Sequence, residues 1–212
     1  MIELEGVLAQ HRLLPVLTVA GASPGARLGE ALLAGGLPVA EVTLRVDGAL
    51  DALRAMASSL DLTVGAGTVV TVDQVDRAVD AGAAFVVSPG LHAPVVERCR
   101  SLDVPVLPGI ATASDAMRAV DLGVGTVKLF PADLVGGPAA VTALAAPFPA
   151  MRFVPTGGVG PAVLSSYLAL PAVLAVGGSW LAPRDVVAAG QWDEVTRRTR
   201  ASLRQIHDEV TR

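Results

Sequence analysis

Cysteine is nearly absent from this 212-residue chain: Cys99 stands alone, so no disulfide can form within it. Its helical spacing from Val95, Val96 and Leu102 marks it as a packing residue, and nothing near it in sequence supplies the base a catalytic thiol needs. Histidine is scarce as well. His11, His92 and His207 are scattered without ligand spacing, so no metal site is expected. Aromatic residues make up only 3%; Val, Leu and Ala do the filling, as in parallel strands buried on both faces. No apolar run reaches the ~18 residues that span a bilayer, so no membrane partner is expected. With a net charge of −4 there is no basic stripe for nucleic acid. Glu3 and Glu5 are unlike the cationic start of a secretory leader, and the expected location is the cytoplasm.

The rarest cation is lysine. Lys128 is the only one, and every other cation is arginine. Wherever either cation serves, this chain uses arginine, so a lone lysine points to a task guanidinium cannot perform. An ammonium can give up its proton and become a nucleophile, whereas arginine stays charged. The alternative is a lysine that survives by chance on the surface, and its neighbours decide.

Short apolar runs recur at 14–19, 39–44, 63–66, 85–88, 104–107, 126–130, 152–155 and 172–176, each the length of a buried strand. Helical patterns lie between them. Residues 47–60 place Leu50, Leu53, Ala57 and Leu60 on one face behind an Asp47 cap. Residues 71–81 open with Thr71 and Gln74 in capping-box spacing and stop at Gly82. Pro94 suits a first helical turn, residues 114–122 end at Gly123, and the tail from Trp192 carries Val195, Thr199, Ile206 and Val210 at helical spacing. Strand and helix in alternation call for an α/β fold with a parallel sheet. An open doubly wound sheet would show G-x-G-x-x-G after its first strand; Ala20-Gly21-Ala22 does not match. The expected architecture is a (β/α)8 TIM barrel forming a single domain over residues 1–212, with a short N-terminal helix over residues 1–12 closing its bottom.

In such a barrel, function belongs at the C-terminal ends of the strands. Alternation in the second strand turns Ala40, Val42 and Leu44 towards helices and Glu41, Thr43 and Arg45 towards the interior. A buried carboxylate and guanidinium cost several kcal/mol each unless paired or used. One reading is a Glu41–Arg45 pair that plugs the barrel; the other is an acid/base beside a carboxylate-binding arginine. In the sixth strand the same parity turns Val127 and Leu129 outward and Lys128 inward, on the side of Glu41. An interior lysine is either paired with Glu41 and nothing more, or an amine poised to attack a ketone. Pro155-Thr156-Gly157-Gly158 and Gly177-Gly178-Ser179 end the last two strands, where barrels most often bind phosphate through backbone N–H groups. Gly65-Ala66-Gly67-Thr68, Ser88-Pro89-Gly90 and Pro108-Gly109 read as tight turns that shape the pocket floor, with Thr68 as a candidate substrate contact.

Glu41-Val42-Thr43-Leu44-Arg45, Gly65-Ala66-Gly67-Thr68, Ser88-Pro89-Gly90, Lys128-Leu129-Phe130-Pro131-Ala132, Pro155-Thr156-Gly157-Gly158 and Gly177-Gly178-Ser179-Trp180 occur in that order. Together they resemble the bacterial 2-keto-3-deoxy-6-phosphogluconate aldolases, which share a family with 4-hydroxy-2-oxoglutarate aldolases. The resemblance runs from about Pro15 to Trp192. It implies a Schiff-base lysine at Lys128, an acid/base at Glu41, and carboxylate binding by Arg45 and Thr68. It further implies a pocket with Pro89, Phe130 and Thr156, and phosphate binding by Gly157, Gly158 and Ser179. A homotrimer without metal or other cofactor is also implied. Val46 stands where the family usually has Thr, and Asp133, Leu134 and Val135 replace its usual Glu and Asn. These departures flank the pocket and bear on substrate choice rather than on the nucleophile or base.

The expected reaction is cleavage of 2-keto-3-deoxy-6-phosphogluconate to pyruvate and glyceraldehyde 3-phosphate. The rivals are cleavage of 4-hydroxy-2-oxoglutarate or of the galactonate epimer, a sugar-phosphate isomerase or epimerase that uses Glu41 and Lys128 for proton transfer, and a non-catalytic phosphate-binding barrel.

Overall fold

A computed structural model describes residues 4–58 and 61–210, and in it the apolar runs and helical patterns alternate as short strands and helices. In chain order these are α1 (Leu4–His11), β1 (Leu13–Leu17), α2 (Ala22–Ala34), β2 (Val39–Thr43), α3 (Ala49–Ala57), β3 (Thr63–Gly67), α4 (Val72–Asp80), β4 (Phe85–Val87) and α5 (Ala93–Ser101). There follow β5 (Val106–Leu107), β6 (Gly109–Ile110), α6 (Ala113–Asp121), β7 (Thr126–Leu129), α7 (Gly137–Ala145), β8 (Arg152–Phe153), α8 (Pro161–Leu168), β9 (Val176–Gly178), α9 (Arg184–Ala188) and α10 (Trp192–Val210).

Every strand pairing among the described residues is parallel, as strands joined by helical crossovers must be. The strands form a strongly curled sheet made of two ladders, one in the order β5-β4-β3-β2-β1-β9 and one in the order β6-β7-β8. Proline has no N–H to give to a ladder, and Pro108 divides one stretch of chain accordingly: β5 pairs with β4, and β6 with β7. The Pro108 carbonyl still accepts the backbone N–H of Lys128 at 2.9 Å. Between β8 and β9 only single bridges occur, Phe153 to Val173 and Thr156 to Gly177.

Alternation sorts the strand faces as expected. Ala40 and Val42 of β2 share an apolar cluster with Leu28 and Leu32 of α2 and Leu53 and Met56 of α3. Val127 and Leu129 of β7 cluster with Ala116 and Ala119 of α6. Each fully buried leucine contributes roughly 1.5–3 kcal/mol. The expected N-terminal helix is present as α1, and positions 1–3 lie outside the described residues. Leu4 and Leu8 are buried in one cluster with Leu13, Leu37 and Phe85, and Thr126 donates a hydrogen bond to the Glu5 carboxylate.

The capping box of α4 forms as read. The Gln74 N–H donates to Thr71 Oγ1 and the Thr71 N–H donates to Gln74 Oε1, both at 3.2 Å. The same device, unread in the sequence, starts α6 through Thr112 and Asp115. Several expected boundaries are corrected. Helix α3 is capped by Gly48 in the left-handed region (φ 78°) and not by the Asp47 side chain; Leu60, expected on its face, lies outside the described residues. The fifth strand begins at Val106, because the Val104 N–H closes the end of α5 on Cys99 and Pro105 has no N–H. The strand expected over 172–176 begins only at Val176, since the Val173 carbonyl is taken by the Arg12 guanidinium at 3.0 Å.

Candidate active site

Strand β2 turns Glu41 inward and β7 turns Lys128 inward, although these strands are not neighbours in either ladder. The two side chains meet across the interior. Lys128 Nζ lies 3.2 Å from both Oε1 and Oε2 of Glu41, with side-chain exposures of 4% and 0%. A charged pair so fully removed from water costs several kcal/mol per ion to bury, which mutual attraction does not reliably return. Its retention marks it as a candidate for function. Nζ also sits 5.4 Å from the centre of the Phe130 ring, a favourable cation–π distance.

Both expected alternatives for Glu41 are thereby separated: its ion partner is Lys128, not Arg45. Arg45 is not in the interior. Strand β2 ends at Thr43, so two-residue alternation no longer governs position 45, and Arg45 stands exposed at the rim. There its Nε donates to Thr68 Oγ1 at 3.0 Å. Thr68 reaches that position with a φ of 60°, just past the end of β3. Thr43 is buried, and its hydroxyl donates to the Leu17 carbonyl at 2.8 Å.

Gly65 and Gly67 are more than turn residues. A Cβ on Gly67 would fall 2.1 Å from Glu41 Oε1, and one on Gly65 would fall 2.3 Å from the Phe85 ring. The absent side chains of β3 make room for the carboxylate and for the aromatic floor. Gly177 does the same for Thr156, whose Oγ1 would lie 2.1 Å from an added Cβ. Thr156 is buried and its hydroxyl donates to the Val154 carbonyl at 3.3 Å.

An open cavity of about 470 Å³ brings together Arg45, Phe130, Thr156, Gly157, Gly158 and Ser179. Lys128 and Thr68 are not among its lining residues; each touches one that is, Lys128 the Phe130 ring and Thr68 the Arg45 guanidinium. Pro89 does not line it; its carbonyl abuts Gly109, where a Cβ would fall 2.2 Å away. Gly157 and Gly158 both have positive φ, 94° and 76°, conformations open to glycine at little cost. Trp180, read in sequence only as the end of a motif, also lines the cavity, as do Thr18 and Arg184, which were not singled out from sequence. Thr18 had a signal, a hydroxyl at the end of an otherwise apolar run. Arg184 had none, because only the turn after β9 brings it to the rim.

Cys99 is buried, and burial pushes its thiol up to about 11, which fits packing and not catalysis. Among the described residues no cluster of His, Cys, Asp and Glu has the makings of a metal site, and no helix is long and apolar enough to cross a membrane.

Residues 4–198 match the family model for KDPG and KHG aldolase. The chain is 44% identical over 204 residues to the 2-dehydro-3-deoxy-phosphogluconate aldolase of Treponema pallidum, covering 96% of this chain and 97% of that one. Among solved structures, it superposes with a TM-score of 0.91 and 35% identity on the KDPG aldolase of Legionella pneumophila, which holds pyruvate as a covalent carbinolamine intermediate. The match covers 95% of this chain and 98% of that one. The 2-keto-3-deoxy-6-phosphogluconate aldolase of Zymomonas mobilis with 3-phosphoglycerate gives a TM-score of 0.83 at 38% identity, covering 94% and 98%.

Proposed function

Because the chain belongs to the KDPG and KHG aldolase family, we propose that it cleaves 2-keto-3-deoxy-6-phosphogluconate to pyruvate and glyceraldehyde 3-phosphate through a Schiff base on Lys128. The observation that carries this reading is the buried Lys128–Glu41 pair, 3.2 Å apart, beside an open cavity.

Glu41 takes a proton from the ammonium, and the free amine attacks the C2 ketone to give a carbinolamine. Glu41 gives that proton to the carbinolamine hydroxyl, which leaves as water, and the protonated imine that remains draws electrons from the C3–C4 bond. That bond breaks as Glu41, acting through a water, removes the C4 hydroxyl proton and the aldehyde departs. Glu41 returns the proton to C3 of the enamine, and hydrolysis frees pyruvate and regenerates the amine. Arg45 forks onto the substrate carboxylate with Thr68 beside it. Phe130 and Thr156 shape the pocket. The N–H groups around Gly157 and Gly158 and the Ser179 hydroxyl receive the phosphate.

The same proposal takes residues 1–212 as one domain whose two ladders close into an eight-stranded barrel. The chain shared by both ladders around Pro108, the bridges between β8 and β9 and the meeting of Glu41 with Lys128 from non-adjacent strands support this. We further propose a cytoplasmic homotrimer that needs neither metal nor organic cofactor.

The test is intact mass after incubation with pyruvate and sodium borohydride, followed by peptide mapping. One reduced pyruvyl adduct on Lys128 is expected. Its absence from folded protein would move the reading to a proton-transfer isomerase or epimerase, which forms no such bond. The match to a family that spans two substrates favours 4-hydroxy-2-oxoglutarate as the second reading, and the galactonate epimer is tested beside it through relative kcat/KM.

A further inference from the structure

We propose that Arg184 binds the substrate phosphate and sets the preference of this chain for phosphorylated over unphosphorylated keto acids; the choice of substrates rests on the aldolase reading above. The chain as a whole carries a net charge of −4, yet the cavity is lined by two arginines, Arg45 and Arg184, and by no Asp or Glu. The two arginines are not equivalent. Arg45 is engaged by Thr68 at 3.0 Å. The Arg184 guanidinium has no hydrogen bond or ion pair with any described residue and is exposed at the cavity rim.

The backbone that carries Arg184 is nevertheless braced. Trp180 Nε1 donates to Ser202 Oγ at 3.0 Å, and Arg198 donates to the Trp180 carbonyl at 3.1 Å, tying the turn after β9 to α10. Leu181 and Ala182 are buried. A free guanidinium therefore extends from the first residue of α9, directly after a braced turn that also presents Ser179.

The chemistry of the lining asks for such a group. Gly157, Gly158 and Ser179 offer N–H and O–H donors but no charge, and a phosphate monoester carries roughly −1.5 to −2 at neutral pH. The only lysine is committed to Glu41 in the interior. Arginine supplies a planar fork whose N–H groups match two phosphate oxygens. Exposure and salt screening keep the effect moderate.

The experiment compares wild type, Arg184→Ala and Arg184→Lys on 2-keto-3-deoxy-6-phosphogluconate and on 4-hydroxy-2-oxoglutarate, with calorimetric titration of inorganic phosphate beside the kinetics. In Arg184→Ala the ratio of the two kcat/KM values falls about tenfold, carried by KM for the phosphorylated substrate, and phosphate binding weakens by a similar factor. Arg184→Lys recovers most of both. An unchanged ratio with unchanged phosphate affinity, or an equal fall on both substrates, would overturn the proposal. A wild type that cleaves neither substrate but loses phosphate binding in Arg184→Ala would uphold this site and overturn the aldolase reading instead.

Discussion

The Glu41 carboxylate occupies the space that a side chain on Gly67 would need: a Cβ there would stand 2.1 Å from Oε1 and 2.5 Å from Cγ. The neighbouring strand thus sets where the base sits. In Gly67→Ala the carboxylate is displaced from the ammonium, and kcat is expected to fall by at least about 100-fold while the fold is kept. Circular dichroism together with steady-state kinetics checks this. Retention of kcat would show that Glu41 does not work from its observed position.

Glu41→Gln keeps the shape and removes the base. A positioned acid/base contributes typically ~10²–10⁴-fold, so kcat is expected to fall within that range. Lys128 should still be trapped by pyruvate and borohydride, more slowly than in wild type. Lys128→Arg keeps the charge but should lose both trapping and turnover. Substantial residual turnover in that variant would rule out the Schiff base.

Strand periodicity explains how much of this was legible. A buried strand repeats every two residues whatever surrounds it, so the inward direction of Glu41 and Lys128 followed from Ala40, Val42, Val127 and Leu129 alone. The same rule misplaced Arg45, because it holds only inside a strand and β2 stops at Thr43. The Asp47 cap failed for a related reason. Gly48 adopts a left-handed conformation that starts α3 from the backbone, and no side-chain pattern reports it. The strand expected over 172–176 was shortened by a partner from elsewhere in the chain, Arg12. The role of Gly67 was hidden because a glycine beside a carboxylate in space looks, in sequence, like any glycine in a turn.

Cys99 offers a test of the α5 packing. Burial raises its thiol from an ordinary 9.0 to about 11. The folded chain thus holds this proton more tightly than the unfolded chain does. The resulting stabilisation is present below the ordinary value and is lost as pH rises through about 11. At pH 8, native protein should react with a disulfide reagent far more slowly than protein in denaturant, where one thiol equivalent appears at once. Equal rates would contradict the buried position.

The two capping boxes should be separable from catalysis. Thr71→Ala and Thr112→Ala each remove an N-cap acceptor, at an expected cost of ~0.5–2 kcal/mol. For a domain of this size that corresponds to a few degrees in Tm, roughly 2–4 °C per kcal/mol. Thermal melts read the loss, and kcat on the aldol substrate should stay within about twofold of wild type. A tenfold fall in kcat would tie these helix starts to the chemistry.

Pro108 has a consequence for how this sequence can change. Its carbonyl holds the Lys128 N–H, and the residues on its two sides belong to different ladders. Slipping a strand by one position reverses every side chain across the sheet. A single residue inserted or deleted around Pro108 would therefore compete with the register that points the lysine inward. Length, more than residue identity, is what natural variation must conserve in that short stretch.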